Sequence, residues 1–144
     1  MIKNFLKALQ LNESSKKYGI LLASFMFIWS GINKIRLFER KVEILMKKTG
    51  FPKIISSLGM IGVIILEIIG FIILIDYFFN FNKVSKLFNN YLTSRELVQL
   101  VLLMILLFLI VVTPLYHPFD LKHPIPFLSN VTTFGLFLYV YCDF

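Results

Sequence analysis

Residues Leu58 to Leu74 read LGMIGVIILEIIGFIIL. One acid, Glu67, interrupts an otherwise apolar run that carries Gly59, Gly62 and Gly70. Extended to Ile54 and Ile75, the run is long enough to cross a bilayer as a helix, which takes about 20 apolar residues. A carboxylate in the middle of such a helix costs about 2.5–3.5 kcal/mol on insertion scales. It normally faces a protein interior or a wet cavity. The fold must therefore give Glu67 something to face.

Helical spacing says where it points. At about 100° per residue and measured from Gly59, Gly70 falls near 20°, Val63 near 40°, Glu67 near 80° and Gly62 near 300°. The three glycines and Glu67 share less than half the circumference. Glycines on a helix in lipid mark its packed face, so Glu67 is predicted to point into a helix bundle.

Composition agrees. The chain has 144 residues, 58% of them hydrophobic, and a net charge of +7. Its mean hydropathy is +0.80. These values belong to the membrane class, and the length suits one domain. In a soluble protein the basic excess would suggest nucleic acid. Here the basic residues sit between apolar blocks, which fits anionic lipid headgroups and no nucleic-acid partner. The single cysteine, Cys142, excludes an internal disulfide and a CxxC redox cycle.

The expected fold is all-α: a four-transmembrane-helix bundle with a short amphipathic interfacial helix between helices 1 and 2. Residues 1–17 form an amphipathic basic segment with Ile2, Phe5, Leu6 and Leu9 at helical spacing. Residues 18–144 form one membrane domain with spans at about 18–35, 54–76, 97–116 and 126–143. In the first span Ala23, Phe27, Ser30 and Lys34 fall on one face, flanked by Gly19 and Gly31. The loop from Arg36 to Lys53 is strongly basic. Ile35, Phe38, Val42 and Leu45 recur there at helical intervals, and Thr49-Gly50-Phe51-Pro52 ends the pattern. Ser94 is the expected N-cap of the third helix and Pro126 sits in the first turn of the fourth. Four spans put both ends of the chain on one side. The Lys and Arg counts nearly tie across the membrane, with a lean towards cytosolic termini.

Connectivity places Lys34, Tyr116 and His117 on one membrane side, with Ser30, Asn33, Thr113, Asn130 and Thr133 a turn or two deeper. The expectation is a small polar pocket opening on that side, with Glu67 at its floor. The candidate polar site is Glu67, Lys34, His117, Ser30, Asn33 and Asn130. A direct Lys34–Glu67 pair is one arrangement. Depth argues against it, because Glu67 lies roughly 15–20 Å along its helix and Lys34 could snorkel outward. A water-filled pocket, or a protonated Glu67 bonded to Ser30 or Asn33, are the others. Glu67 could equally be a buried acid that fixes helix register. His117 and His123, with Asp120, form no recognisable metal-ligand spacing. The chain carries no phosphate loop, nucleophile elbow, HExxH or haem signature. No catalytic residues and no resident cofactor are evident.

One resemblance adds to this reading. Ser30-Gly31-Ile32-Asn33-Lys34 fits a G-x-x-K element, and Leu66-Glu67-Ile68-Ile69-Gly70 fits L-E-x-x-G. Tyr116-His117-Pro118-Phe119 closes the third helix, and Phe127-Leu128-Ser129-Asn130 opens a fourth that runs through Gly135. In order and placement these resemble the DoxX-like family of small four-helix membrane proteins, from about Tyr18 to Tyr141. The resemblance implies a four-helix bundle with Lys34, Glu67 and His117 as recurrent polar residues. It also implies a neighbourhood of functions: membrane subunits of thiosulfate:quinone oxidoreductase, assemblies that resist thiol stress, and a chaperone for acetylcholine receptors. This chain departs from the family in having Lys16 and Lys17 where an arginine would open the first helix.

Three functions remain open. The first is a non-catalytic partner or assembly subunit of a membrane complex, with a protein partner or a second copy of itself. The second is a membrane subunit of a quinone-linked oxidoreductase, with quinone as ligand. The third is a proton or small-solute conductor, which the intramembrane carboxylate would serve.

Overall fold

The turn at Gly50 sets the architecture. Gly50 takes a left-handed conformation (φ 73°, ψ 6°), and its N–H donates to the Met46 carbonyl at 2.8 Å. Glycine adopts this conformation without a Cβ clash, and Pro52 two residues on keeps the preceding helix from continuing. The structure is a computed structural model that describes residues 13–81, 83, 85–88, 92–116 and 124–143. The predicted segment 1–17 lies largely outside the described residues.

Five helices are described. They are α1 (Glu13–Arg36), α2 (Phe38–Thr49), α3 (Lys53–Phe78), α4 (Ser94–Tyr116) and α5 (Ile125–Cys142). A single helical turn, Ser85–Phe88, lies between α3 and α4. Four helices are long and apolar enough to cross a membrane: Lys17–Arg36, Lys53–Phe78, Ser94–Tyr116 and Ile125–Cys142. The chain is thus an all-α, multi-pass membrane protein, with the short charged α2 between its first two spans.

α1 and α2 are nearly one helix. Only Leu37 (φ −116°, ψ 32°) leaves the helical region. The two helices abut there: Leu37 N–H closes α1 by donating to the Asn33 carbonyl at 3.0 Å, and the Leu37 carbonyl opens α2 by accepting the Lys41 N–H at 2.9 Å. After Gly50 the chain turns back, so α3 packs first against α2 and then against α1. α4 packs on the second half of α3, and α5 packs chiefly on α4 with a smaller contact to α1.

The helix α3 is not uniform. Leu66–Gly70 forms a π-helical turn around Glu67. A π turn accommodates one extra residue, so the helix faces before and after it are offset by about 100°. This corrects the predicted single glycine face. Gly70 is buried against Val101, Gly59 faces Leu45, and Gly62 is exposed with nothing near it. The start of α4 is also corrected: Thr93, not Ser94, is the cap. Thr93 Oγ1 accepts the Glu96 N–H at 3.3 Å, while Glu96 Oε2 accepts the Thr93 N–H at 2.9 Å. This reciprocal pairing satisfies two donors that the first helical turn leaves free.

The core occupies the half of the bundle away from Gly50. Ile20, Leu74, Leu102, Ile105 and Val140 are fully buried there. Phe71 stacks on Phe27 with ring centroids 4.5 Å apart, and Phe137 meets Phe71 edge-on at 5.5 Å. In lipid such packing is driven by dispersion and shape, since the tails outside are as apolar as the core. The acid at the end of α3, Asp76, is buried and accepts the Lys83 N–H at 2.9 Å. The other half of the bundle, towards Gly50, is less completely filled.

Candidate functional site

Lys34 sits two residues from the end of α1. Its ammonium nevertheless reaches Glu67: Nζ lies 2.7 Å from both Oε1 and Oε2. It also donates to Ser30 Oγ at 2.6 Å, and Ser30 Oγ donates in turn to Glu67 Oε1 at 3.4 Å. Ser30 and Lys34 are one turn apart on the same face of α1. A helical side chain leans towards the N-terminus of its helix, so the lysine stem runs inward past Ser30. The Glu67 side chain is 4% exposed and that of Lys34 is 19% exposed.

The direct pair is the arrangement that depth had argued against. The depth argument fails because α2 follows α1 directly after Leu37 and carries the chain on towards Gly50. With α2 continuing it, Gly50 is the turn of one long hairpin. Lys34 stands sixteen residues before Gly50 and Glu67 seventeen residues after it, so an antiparallel hairpin brings them to the same level. Gly31 permits the approach. A Cβ there would stand 2.7 Å from Ile68 Cγ1 and 3.4 Å from Glu67 Cβ.

Glu67 and Lys34 form part of the wall of a cavity of about 620 Å³ between α1, α2, α3 and α4, with Asn130 reaching it from α5. Its lining is chiefly apolar, including Met26, Phe27, Met60, Val63, Phe108 and Val112. The predicted small polar pocket is therefore an apolar chamber with a few polar groups. Thr49, Phe51 and Tyr116 line it at the Gly50 end, and Phe27, in the aromatic cluster, lines it at the deep end. α2 closes one side through Lys41, Leu45 and Thr49. Lys48 ties that helix to the end of α4. Its Nζ donates to the Leu115 and Tyr116 carbonyls at 3.1 and 3.3 Å and lies 4.6 Å from the centre of the Tyr116 ring. Carbonyls at a helix C-terminus have no partner within the helix, and a lysine there also meets the negative end of the dipole.

Of the six candidate residues, Ser30, Lys34 and Glu67 are bonded together, and Asn130 lines the same cavity. Asn33 is half-buried and stands apart from both the bonded group and the cavity wall. His117 lies outside the described residues. Thr113 is buried off the cavity wall, and Thr133 donates to the Ser129 carbonyl of its own helix. The residue missed is Lys41. It had been assigned to an amphipathic interfacial helix, yet that helix abuts α1 at Leu37, and Lys41 follows Lys34 by seven positions, about two helical turns. Among the described residues no group of three or more His, Cys, Asp or Glu could hold a metal ion. Compared with known protein families, with characterised proteins and with solved structures, the chain matches none of them.

Proposed function

We propose that the protein is a non-catalytic subunit of a membrane assembly, and that its contribution is to hold a small amphiphile drawn from the bilayer. The cavity carries this reading. Its volume of about 620 Å³ falls in the range of small-ligand sites, which are mostly apolar with a few fixed polar groups. The Lys34–Glu67–Ser30 group supplies both donors and acceptors at one place on an otherwise apolar wall.

A quinone-linked subunit is the second reading, and it shares the site. A charged donor beside an apolar chamber suits a quinone carbonyl above a hydrophobic ring. The resemblance to DoxX-like proteins, several of which serve quinone-linked oxidoreductases, supports it. The conductor reading is weakened by Phe27, Phe71 and Phe137, whose stacked and edge-on rings fill the bundle beyond Glu67.

Organic extraction of protein purified in mild detergent, followed by mass spectrometry, tests the reading. About one small amphiphile per chain is expected. It should be lost from Val63→Phe, which narrows the cavity while leaving the ion pair in place. Folded protein with no amphiphile above the detergent and bulk-lipid background would overturn the proposal.

A further inference from the structure

The charges on the cavity wall do not balance. Three charged side chains line it: Lys34, Lys41 and Glu67. Lys34 and Glu67 neutralise one another at 2.7 Å. Lys41 is half-buried and, among the described residues, has no hydrogen-bond or ion-pair partner. Of the other lysines near the mouth, Lys48 bonds to the end of α4 and Lys53 pairs with Glu39 at 3.0 Å, while Lys47 is exposed and off the cavity wall. Lys41 also acts on Glu67 through space, so two ammonium groups share one carboxylate and the wall keeps a net positive charge beside an apolar volume.

Position gives that charge a direction. Lys41 lies on α2, and so nearer the Gly50 end than Lys34, with Thr49 and Tyr116 also on the wall. Met26, Phe27 and Met60 line the cavity without any polar atom to offer besides backbone. The Thr49 hydroxyl already donates to the Leu45 carbonyl at 2.8 Å, so an occupant is offered a cation at its outer end and hydrocarbon at its inner end. From these groups we propose that the cavity binds a single-chain anionic amphiphile, a long-chain carboxylate. Its head would sit against Lys41 and its tail would run towards Phe27. This rests on the cavity being a binding site, as proposed above, and names the class of its ligand.

The chemistry favours this class over a neutral one. An ammonium beside hydrocarbon loses hydration, and a carboxylate returns it as a charge-assisted hydrogen bond, about twice as strong as a neutral one. A neutral quinone or alcohol leaves the extra charge in place. A cavity in the single-ligand range suits one acyl chain rather than the two of a phospholipid. The Lys34–Glu67 pair keeps a second cation from competing for the head group, because its ammonium is already bound on both carboxylate oxygens and Ser30.

Thermal unfolding in a neutral detergent tests this with three probes: palmitate, hexadecanol and decylubiquinone. Palmitate should raise the midpoint by about 5 °C at saturation, and the two neutral probes by less than half as much. Lys41→Gln should reduce the palmitate response to that of hexadecanol and leave the hexadecanol response unchanged, while Lys41→Arg should keep the preference. Neutral probes that match palmitate, or a preference that survives Lys41→Gln, would overturn the anionic class and leave the binding cavity standing. If none of the probes shifts the midpoint, or if Val63→Phe leaves the shifts intact, the binding site itself falls.

Discussion

Gly31 and Ile68 meet so closely that α1 and α3 leave no room for a methyl group between them: a Cβ on Gly31 would stand 2.7 Å from Ile68 Cγ1 and 3.2 Å from its Cδ1. This contact lies at the π turn, beside Glu67. Gly31→Ala must push the helices apart or force Ile68 out of its rotamer, and overpacking of this kind costs about 1–3 kcal/mol. Ile68→Ala removes the obstructing atoms. The double variant should therefore be less destabilised than the sum of the two singles, as read by unfolding in detergent; strict additivity would show that the contact does not limit the approach.

Lys34→Met leaves the Glu67 carboxylate buried without its counter-ion. Losing one partner of a buried pair costs about 3–5 kcal/mol. Replacing both partners, as Lys34→Met with Glu67→Leu, removes the orphaned charge and should recover most of that loss. Unfolding midpoints of the two singles and the double check this. A double variant weaker than both singles would mean that the pair is worth more than an apolar substitute.

Lys48→Ala frees α2 from the end of α4. The stability cost should be small, about 0.5–1 kcal/mol, since the contact is exposed. The effect on access should be larger. With Cys142 replaced by Ser, a Leu45→Cys probe on the cavity wall should react faster with a water-soluble maleimide in the Lys48→Ala background. Equal rates in both backgrounds would show that Lys48 does not hold the cavity closed.

Protein reconstituted in liposomes should carry no proton current above that of empty vesicles, and Glu67→Gln should change nothing. The packed rings of Phe27, Phe71 and Phe137 give the reason. A current that Glu67→Gln abolishes would restore the conductor reading.

The helices were legible in the sequence because their signals are local. The apolar runs marked four long helices, and Gly50 was marked as a breaker by its neighbours. The inward direction of Glu67 also followed from spacing. What spacing could not deliver was the level of Lys34. That depended on whether one residue, Leu37, ended a helix or only bent it, and Leu37 carries no proline or glycine signal. The π turn was hidden for a similar reason. A fixed 100° per residue assumes regular geometry and fails for residues beyond Leu66, while Gly62, in the regular part of the helix, simply faces no neighbour. The cavity is a property of packing among α1, α2, α3 and α4, and no local pattern encodes its volume.

The pairing of Lys34 with Glu67 also bears on how the chain enters the bilayer. The Glu67 carboxylate alone costs about 2.5–3.5 kcal/mol at the centre of its span. The hairpin that turns at Gly50 carries it with Lys34 as one neutral unit. The cheapest route into lipid is thus for the first two spans to leave the insertion machinery together, as a folded hairpin, so that biogenesis of this protein begins with a pair of helices rather than with one.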